Sequence, residues 1–232
     1  MISKRFLPVR SIFSVSNFYN RYKRPQLVSY STSNSNEPVY KEGDLGTSKV
    51  LTGEVLSKDH FIFNAIGATE ELLSYLGLAR EHALENNHEY CDKIKRIQTV
   101  IIDISTAISN FYGDKNKQNL SPNHKKELED WIINYSKQLP PPEQYIIPGS
   151  GVASASLHVA RAICRRTERV ITPLVRDGGL DKEALIYLNR LADFLFTISR
   201  IAAKLDKRNE SIYIPPKPDE KIQAQASYFR KK

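Results

Sequence analysis

Apolar residues recur at three- and four-residue intervals along most of the chain, and polar breakers divide them into five segments. The first predicted helix starts near Ser57 or Asp59 and runs to about Glu85, with Phe63, Ile66, Leu73, Leu76 and Leu78 as its apolar positions. Asn86-Asn87 interrupts it. The second spans about Glu89 to Ser109 and carries Ile94, Ile97, Ile101, Ile104 and Ile108; these side chains are β-branched, yet their period is 3.6 and not 2. A third, from about His124 to Lys137, places Leu128, Trp131, Ile132 and Tyr135 on one side, and Pro140-Pro141-Pro142 then forces an extended passage. A fourth opens after the turn Pro148-Gly149-Ser150-Gly151 and ends at Gly178-Gly179. Asp181 caps the fifth, which continues to about Leu205 with Leu185, Leu188, Ala192, Leu195, Phe196 and Ala203 toward the core. With short links and no convincing strand pattern, the fold is all-α, an antiparallel five-helix bundle.

The fourth helix is unlike the others. At 100° per residue, Arg161, Arg165, Glu168 and Arg169 project within an arc of roughly 100°, while Val152, Val159, Ile163, Val170 and Leu174 repeat on another side and are expected to pack. Guanidinium forks suit phosphate oxygens, and one glutamate among them can orient a fork and limit self-repulsion. This helix reads as an anion-handling wall. On the fifth helix Asn189 and Asp193 stand one turn apart at the border of the apolar stripe, where the arginines could pair with them. Plain structural ion pairing is the alternative.

Ahead of the bundle, Val39 to Gly53 holds three glycines, two acids and several hydroxyls without helical period. Its backbone N–H groups, with Lys41 or Lys49, could cradle a phosphate, although Gly-Asp-x-Gly also occurs in ordinary turns.

Charge looks at first like a nucleic-acid signal, since the 232 residues carry a net +8. Lys4, Arg5, Arg10, Arg21, Lys23 and Arg24 supply six of those charges before the first acid, Glu37, and leave only +2 for the rest. A nucleic-acid partner is therefore not expected, nor is a membrane. Residues 1–36, rich in Ser, Asn, Tyr and Arg, fit a mitochondrial transit peptide and hence the matrix; a disordered basic arm is the alternative. Residues 37–213 form the domain. The chain turns polar from Asp206, reads as only partly ordered from there, and ends in a tail at 214–232. Cys91 and Cys164 lack metal-ligand spacing and are expected to be buried thiols.

Three blocks then bear a resemblance: GDLGTSKVLTGE with Lys58-Asp59 and Ala65 to Leu72; YIIPGSG running into LHVARAICRRTER; and LNRLADFLFTISR, Leu188 to Arg200. Over roughly Val39 to Tyr213 the chain resembles the ATP:cob(I)alamin adenosyltransferases of the propanediol-utilisation type, whose mitochondrial members make adenosylcobalamin. The resemblance implies ferritin-like up-down packing, a homotrimer, and ATP and corrinoid bound between subunits. It implies that cobalt of cob(I)alamin attacks the 5′ carbon of ATP and expels triphosphate, with Mg²⁺ arriving on ATP and no protein metal site. Carried over by position, Lys41, Gly43, Asp44, Gly46, Thr47, Ser48, Lys58, Arg165, Glu168, Arg169 and Asn189 would hold ATP. Arg161 would pair with Glu70 of a neighbouring copy beside the corrinoid, with Asp193 close by. Arg165, Tyr145 and Asp193 would take the catalytic roles, Tyr145 by displacing the lower axial ligand of cobalt. A flavoprotein reductase and a cobalamin-dependent mutase are the partners implied.

The chain departs from the pattern in places. Tyr145 stands where the family has phenylalanine, Tyr40 and Glu42 alter the approach to the glycine loop, Asn64 replaces a common glutamate, and Glu70 replaces the usual aspartate. A catalytically lapsed member that binds corrinoid or nucleotide, or serves as a scaffold, is the alternative function. His158 is expected to be a packed ring and not a proton shuttle.

Overall fold

The computed structural model of the chain describes residues 42–113, 119–141 and 145–215. The leader, Tyr40, Lys41 and the tail from residue 216 lie outside the described residues. After a 3-10 turn at Glu42–Leu45 come β1 (Thr47–Lys49), β2 (Val55–Ser57), α1 (Phe61–Glu85), α2 (Cys91–Ser109), α3 (Asn123–Ser136), β3 (Ile146–Ile147), α4 (Val152–Arg176), α5 (Lys182–Leu205) and β4 (Ser211–Ile212).

The five predicted helices are all present, and local chemistry explains their ends. His60 caps α1 by accepting a hydrogen bond from the Ile62 N–H, and the Asp181 carboxylate accepts from the Glu183 N–H at 3.1 Å and from the Leu120 N–H at 3.2 Å. α1 begins later than Ser57 because Val55 to Ser57 pair with the strand before them. The expectation of no strands needs correcting. Two antiparallel ribbons occur, β1 with β2 and β3 with β4, each of two or three residues and too short for a period-2 pattern to register.

Packing proceeds α2, α1, α4, α5, α3, so α4 lies between α1 and α5. All five expected isoleucines of α2 are buried. The predicted packing side of α4 is only half right. Ile163 and Leu174 are buried and Val170 is packed against the core, but Val152 is 62% exposed and Val159 41%. The face that packs is instead made of Ala153, Ser156, Leu157, Ala160, Cys164 and Thr167 as well. Small side chains let α4 approach two neighbours closely, and a search for bulky residues overlooks them. The same holds on α1, where Ala65, Ala68, Ala79 and Ala83 are buried while Leu78 is 47% exposed. Both cysteines are buried, as expected, and burial pushes the Cys164 thiol up.

α4 and α1 run in opposite directions, with Thr167 donating to the Ala68 carbonyl at 3.0 Å. One end of the bundle therefore gathers the start of α1, the end of α2 and the α4–α5 turn. There Phe61 meets Phe111 edge-on, and the Phe111 ring occupies the space a side chain at Gly179 would need. The other end gathers the α1–α2 link, β3, the start of α4 and the residues after α5. Those residues are not loosely ordered, as the polar composition from Asp206 suggested: Asp206 to Tyr213 are built into the bundle.

Candidate active site: the cationic face of α4 beside α5

α4 turns three faces outward from its length. Toward α1, Arg166 pairs with Glu71 and Thr167 is buried. Toward α5, the Cys164 thiol reaches the Leu188 carbonyl at 3.2 Å, and Asn189 donates from Nδ2 to Glu168 Oε1 at 3.0 Å. Beyond that contact Arg165 and Arg169 project, exposed and in no ion pair among the described residues. Glu168 thus orients Asn189 and not a guanidinium, which leaves two cations and one carboxamide on the same ledge.

Arg161 lies one turn earlier on this face. Its guanidinium sits 5.1 Å from the centre of the Phe196 ring, and its Nε is buried without a hydrogen-bond partner. A desolvated donor over an aromatic ring can donate to a ligand oxygen at little further cost. His158 stacks edge-on against the same ring at 6.2 Å. Burial first, and the Arg161 charge second, hold His158 below its ordinary range, so the ring is a neutral packing element, as expected. Asp193 is exposed and paired with Arg190 at 3.3 Å, so its described partner is not one of the α4 arginines. Glu70 is exposed on α1.

The glycine loop occupies the end where α1 starts and α2 finishes. Gly46 takes φ +78°, its N–H donates to the Gly43 carbonyl at 3.2 Å, and its own carbonyl accepts from the Lys58 N–H at 2.8 Å. The Lys58 ammonium reaches across to the Gly43 carbonyl at 2.7 Å. A Cβ at Gly43 would stand 3.2 Å from that nitrogen, so the glycine lets the ammonium approach the backbone. Thr47 and Ser48 follow on β1, and Leu51 donates to Ser109 at the end of α2. Lysine, hydroxyls and loop N–H groups are thereby presented together. Within one chain they lie on the α1–α2 side, whereas the arginines open outward beside α5.

Tyr145 stands at the opposite end, 61% exposed, with its ring edge-on to Tyr213 at 6.1 Å and its carbonyl accepting from the Tyr213 N–H at 2.9 Å. Composition alone gave no sign of what fixes it there.

The chain as a whole has counterparts among known proteins. The profile of the family described as cobalamin adenosyltransferase matches residues 39–202. The chain belongs to that family. The corrinoid adenosyltransferase MMAB of Homo sapiens is 39% identical over 183 residues, covering 77% of this chain and 73% of that one. A corrinoid adenosyltransferase of Citrobacter freundii is 32% identical over 163 residues, 69% of this chain and 92% of its own. Among solved structures, a variant PduO-type ATP:corrinoid adenosyltransferase from Lactobacillus reuteri complexed with cobalamin and ATP superposes with a TM-score of 0.71 at 27% identity, covering 77% of this chain and 100% of that one. All three blocks that carried the resemblance fall within or at the border of the matched span of this cobalamin adenosyltransferase.

Proposed function

We propose that the protein transfers the 5′-deoxyadenosyl group of ATP to the cobalt of cob(I)alamin, and that its site is completed by a second copy of the chain. The observation that carries this reading is the outward ledge of Arg165, Arg169 and the Glu168-anchored Asn189, which offers two guanidinium groups and one held carboxamide to a polyphosphate. Cobalt supplies the electron pair: the Co–C5′ bond forms, the C5′–O bond breaks, and its electrons leave on triphosphate. The protein needs no nucleophile of its own. It must hold two reactants in line and stabilise a leaving group of high charge, work suited to preorganised arginines.

Arg165 and Arg169 take the triphosphate, and Asn189, held by Glu168, fixes its register. Lys41 and the Gly43–Ser48 loop with Asp44, Gly46, Thr47 and Lys58 close over it. Mg²⁺ comes with the nucleotide; no group of three His, Cys, Asp or Glu among the described residues forms a separate cage. Arg161, Phe196 and Asp193 line the corrinoid side, with Arg161 facing Glu70 of the neighbouring copy. Tyr145 displaces the lower ligand, which eases reduction to cob(I)alamin by one electron from an external reductase.

Two features support a homotrimer. The glycine loop and the arginine ledge of one chain lie on different sides, so a neighbour's loop is needed to cover the phosphates. Second, Leu78, Val152 and Val159 expose an apolar strip with Tyr75 and Ala155 around a cavity of about 530 Å³, the kind of surface that self-association covers. The leader's composition supports a matrix location. No helix among the described residues is long and apolar enough to cross a membrane.

The test is turnover by the mature protein with ATP, cob(II)alamin and a reductant. Adenosylcobalamin should form, and Arg165→Ala or Asn189→Ala should each lower kcat/KM by about 10²-fold or more. Protein that binds ATP and corrinoid without product, and gains turnover as Tyr145→Phe, would favour the lapsed alternative instead.

A further inference from the structure

Beyond the ledge and the loop, the most heavily built polar feature in the described chain is a buried guanidinium that the reaction itself does not use. Arg200, on α5 one turn past Phe196, is 5% exposed. Its Nε donates to both carboxylate oxygens of Glu210 at 2.9 and 3.2 Å, and its Nη2 donates to Glu210 Oε2 at 3.1 Å. The remaining terminal nitrogen, Nη1, donates to the Pro140 carbonyl at 3.1 Å. A planar fork that grips two segments at once fixes their separation and orientation, which a lysine could not do.

Those two segments are the ones that carry Tyr145. Pro140 lies five residues before it in the chain. Glu210 immediately precedes β4, whose residues Ser211 and Ile212 pair with Ile147 and Ile146. β3 has no other strand partner among the described residues, so whatever positions β4 positions Tyr145. The rest of the segment is pinned as well. Asp206 accepts from the Asn86 amide at 3.0 Å and meets the His88 ring nitrogen at 2.9 Å, and His88 in turn meets the Tyr90 hydroxyl at 2.8 Å. Ser150 donates to the Asn209 carbonyl at 2.9 Å, and Lys204 to the Gln138 carbonyl at 2.7 Å.

We infer that Arg200 and Glu210 are positioning residues for the corrinoid half of the reaction: they hold the strand of Tyr145 at a fixed place relative to the Asn189, Asp193 and Phe196 positions of the same helix. The inference rests on the adenosyltransferase reading and adds residues to it. Neither side chain touches Tyr145. Their effect passes through the β3–β4 pairing and the Tyr213 N–H bond, and it should fall on placement of the ring below cobalt while leaving the phosphate ledge intact. A buried ion pair that only supported the fold would weaken both halves together.

The experiment uses full-length protein with Glu210→Gln, which keeps shape and one acceptor, and Arg200→Lys, which keeps charge and loses the fork. Thermal melting, ATP binding by calorimetry, and the absorption spectrum of cob(II)alamin with protein and ATP are recorded for each beside the parent. The expected result is ATP affinity within about twofold of the parent, with the four-coordinate cob(II)alamin fraction and kcat reduced about tenfold or more, because small misplacements at a reacting centre are costly. A four-coordinate fraction equal to the parent's in both variants overturns the inference. So does a loss of ATP affinity proportional to the spectral loss, which marks general loosening. A parent protein that binds neither ATP nor cob(II)alamin defeats the adenosyltransferase reading first, and the inference with it.

Discussion

The two ends of the bundle are built by different means. At the end where α1 starts and α2 finishes, the glycine loop rests on backbone turns, one exposed ammonium and positive-φ glycines at 46 and 53. At the far end, about 37 Å away along the 25 residues of α1, Tyr145 is stitched down by Arg200–Glu210, Asp206–His88–Tyr90 and a two-residue ribbon. Exposed polar turns open at low free energy, whereas buried charge pairs do not. On the proposed reading, one end closes on a polyphosphate and lets triphosphate go. The other fixes the backbone that carries Tyr145. Both functions need α4 and α5 between them as a rigid spacer.

The contrast predicts unequal damage. Arg200→Ala strands the partly buried Glu210 carboxylate and the Pro140 carbonyl, and should destabilise the protein by about 3 kcal/mol, lowering Tm by roughly 6–12 °C. Calorimetric melting measures this, and a shift under 2 °C would show the far end to be less firmly held than its bonding suggests. Gly46→Ala comes next: with φ at +78° and open space around a Cβ, the cost is backbone strain alone, about 1 kcal/mol. Lys58→Ala should change Tm little, since the side chain is exposed, yet weaken ATP about tenfold by removing a charge-assisted bond. Calorimetric titration separates these two effects.

The smallest effect concerns His158. Burial, then the Arg161 charge, lower its folded-state pKa while Glu210 opposes them, so folding favours the neutral ring. Its contribution to stability is fully present above the unfolded value, about 6.5, and is lost as pH falls through the folded value. Melting from pH 7 down to pH 5 should therefore cost the parent more than His158→Gln. An identical decline in both would remove His158 as the cause.

Much of this was written in the chain. The isoleucine stripe of α2 and the caps and glycines around α5 placed the helices, because each follows from local spacing. The arginine arc of α4 predicted the ledge for the same reason. Val152 and Val159 misled, since hydrophobic size says nothing about which face a centrally packed helix turns to its neighbours. Arg200 and Glu210 were missed as a pair. The ten-residue separation of Arg200 and Glu210 becomes a contact only after the chain reverses at Lys207, whose φ is +53°, and a polar stretch gives no sign that its carboxylate will be partly buried.

The most direct test of the central claim, that one chain's arginine ledge is completed by another chain's loop, is subunit complementation. Arg165→Ala protein and Lys58→Ala,Gly46→Ala protein, each with turnover reduced to a small fraction, are co-expressed and purified as mixed oligomers. If sites form between copies, random mixing restores both intact elements at about a quarter of them, and turnover should rise toward that fraction of the parent's. Turnover no higher than the mean of the two separate variants, or a protein that remains a single chain in solution while fully active, would contradict the account.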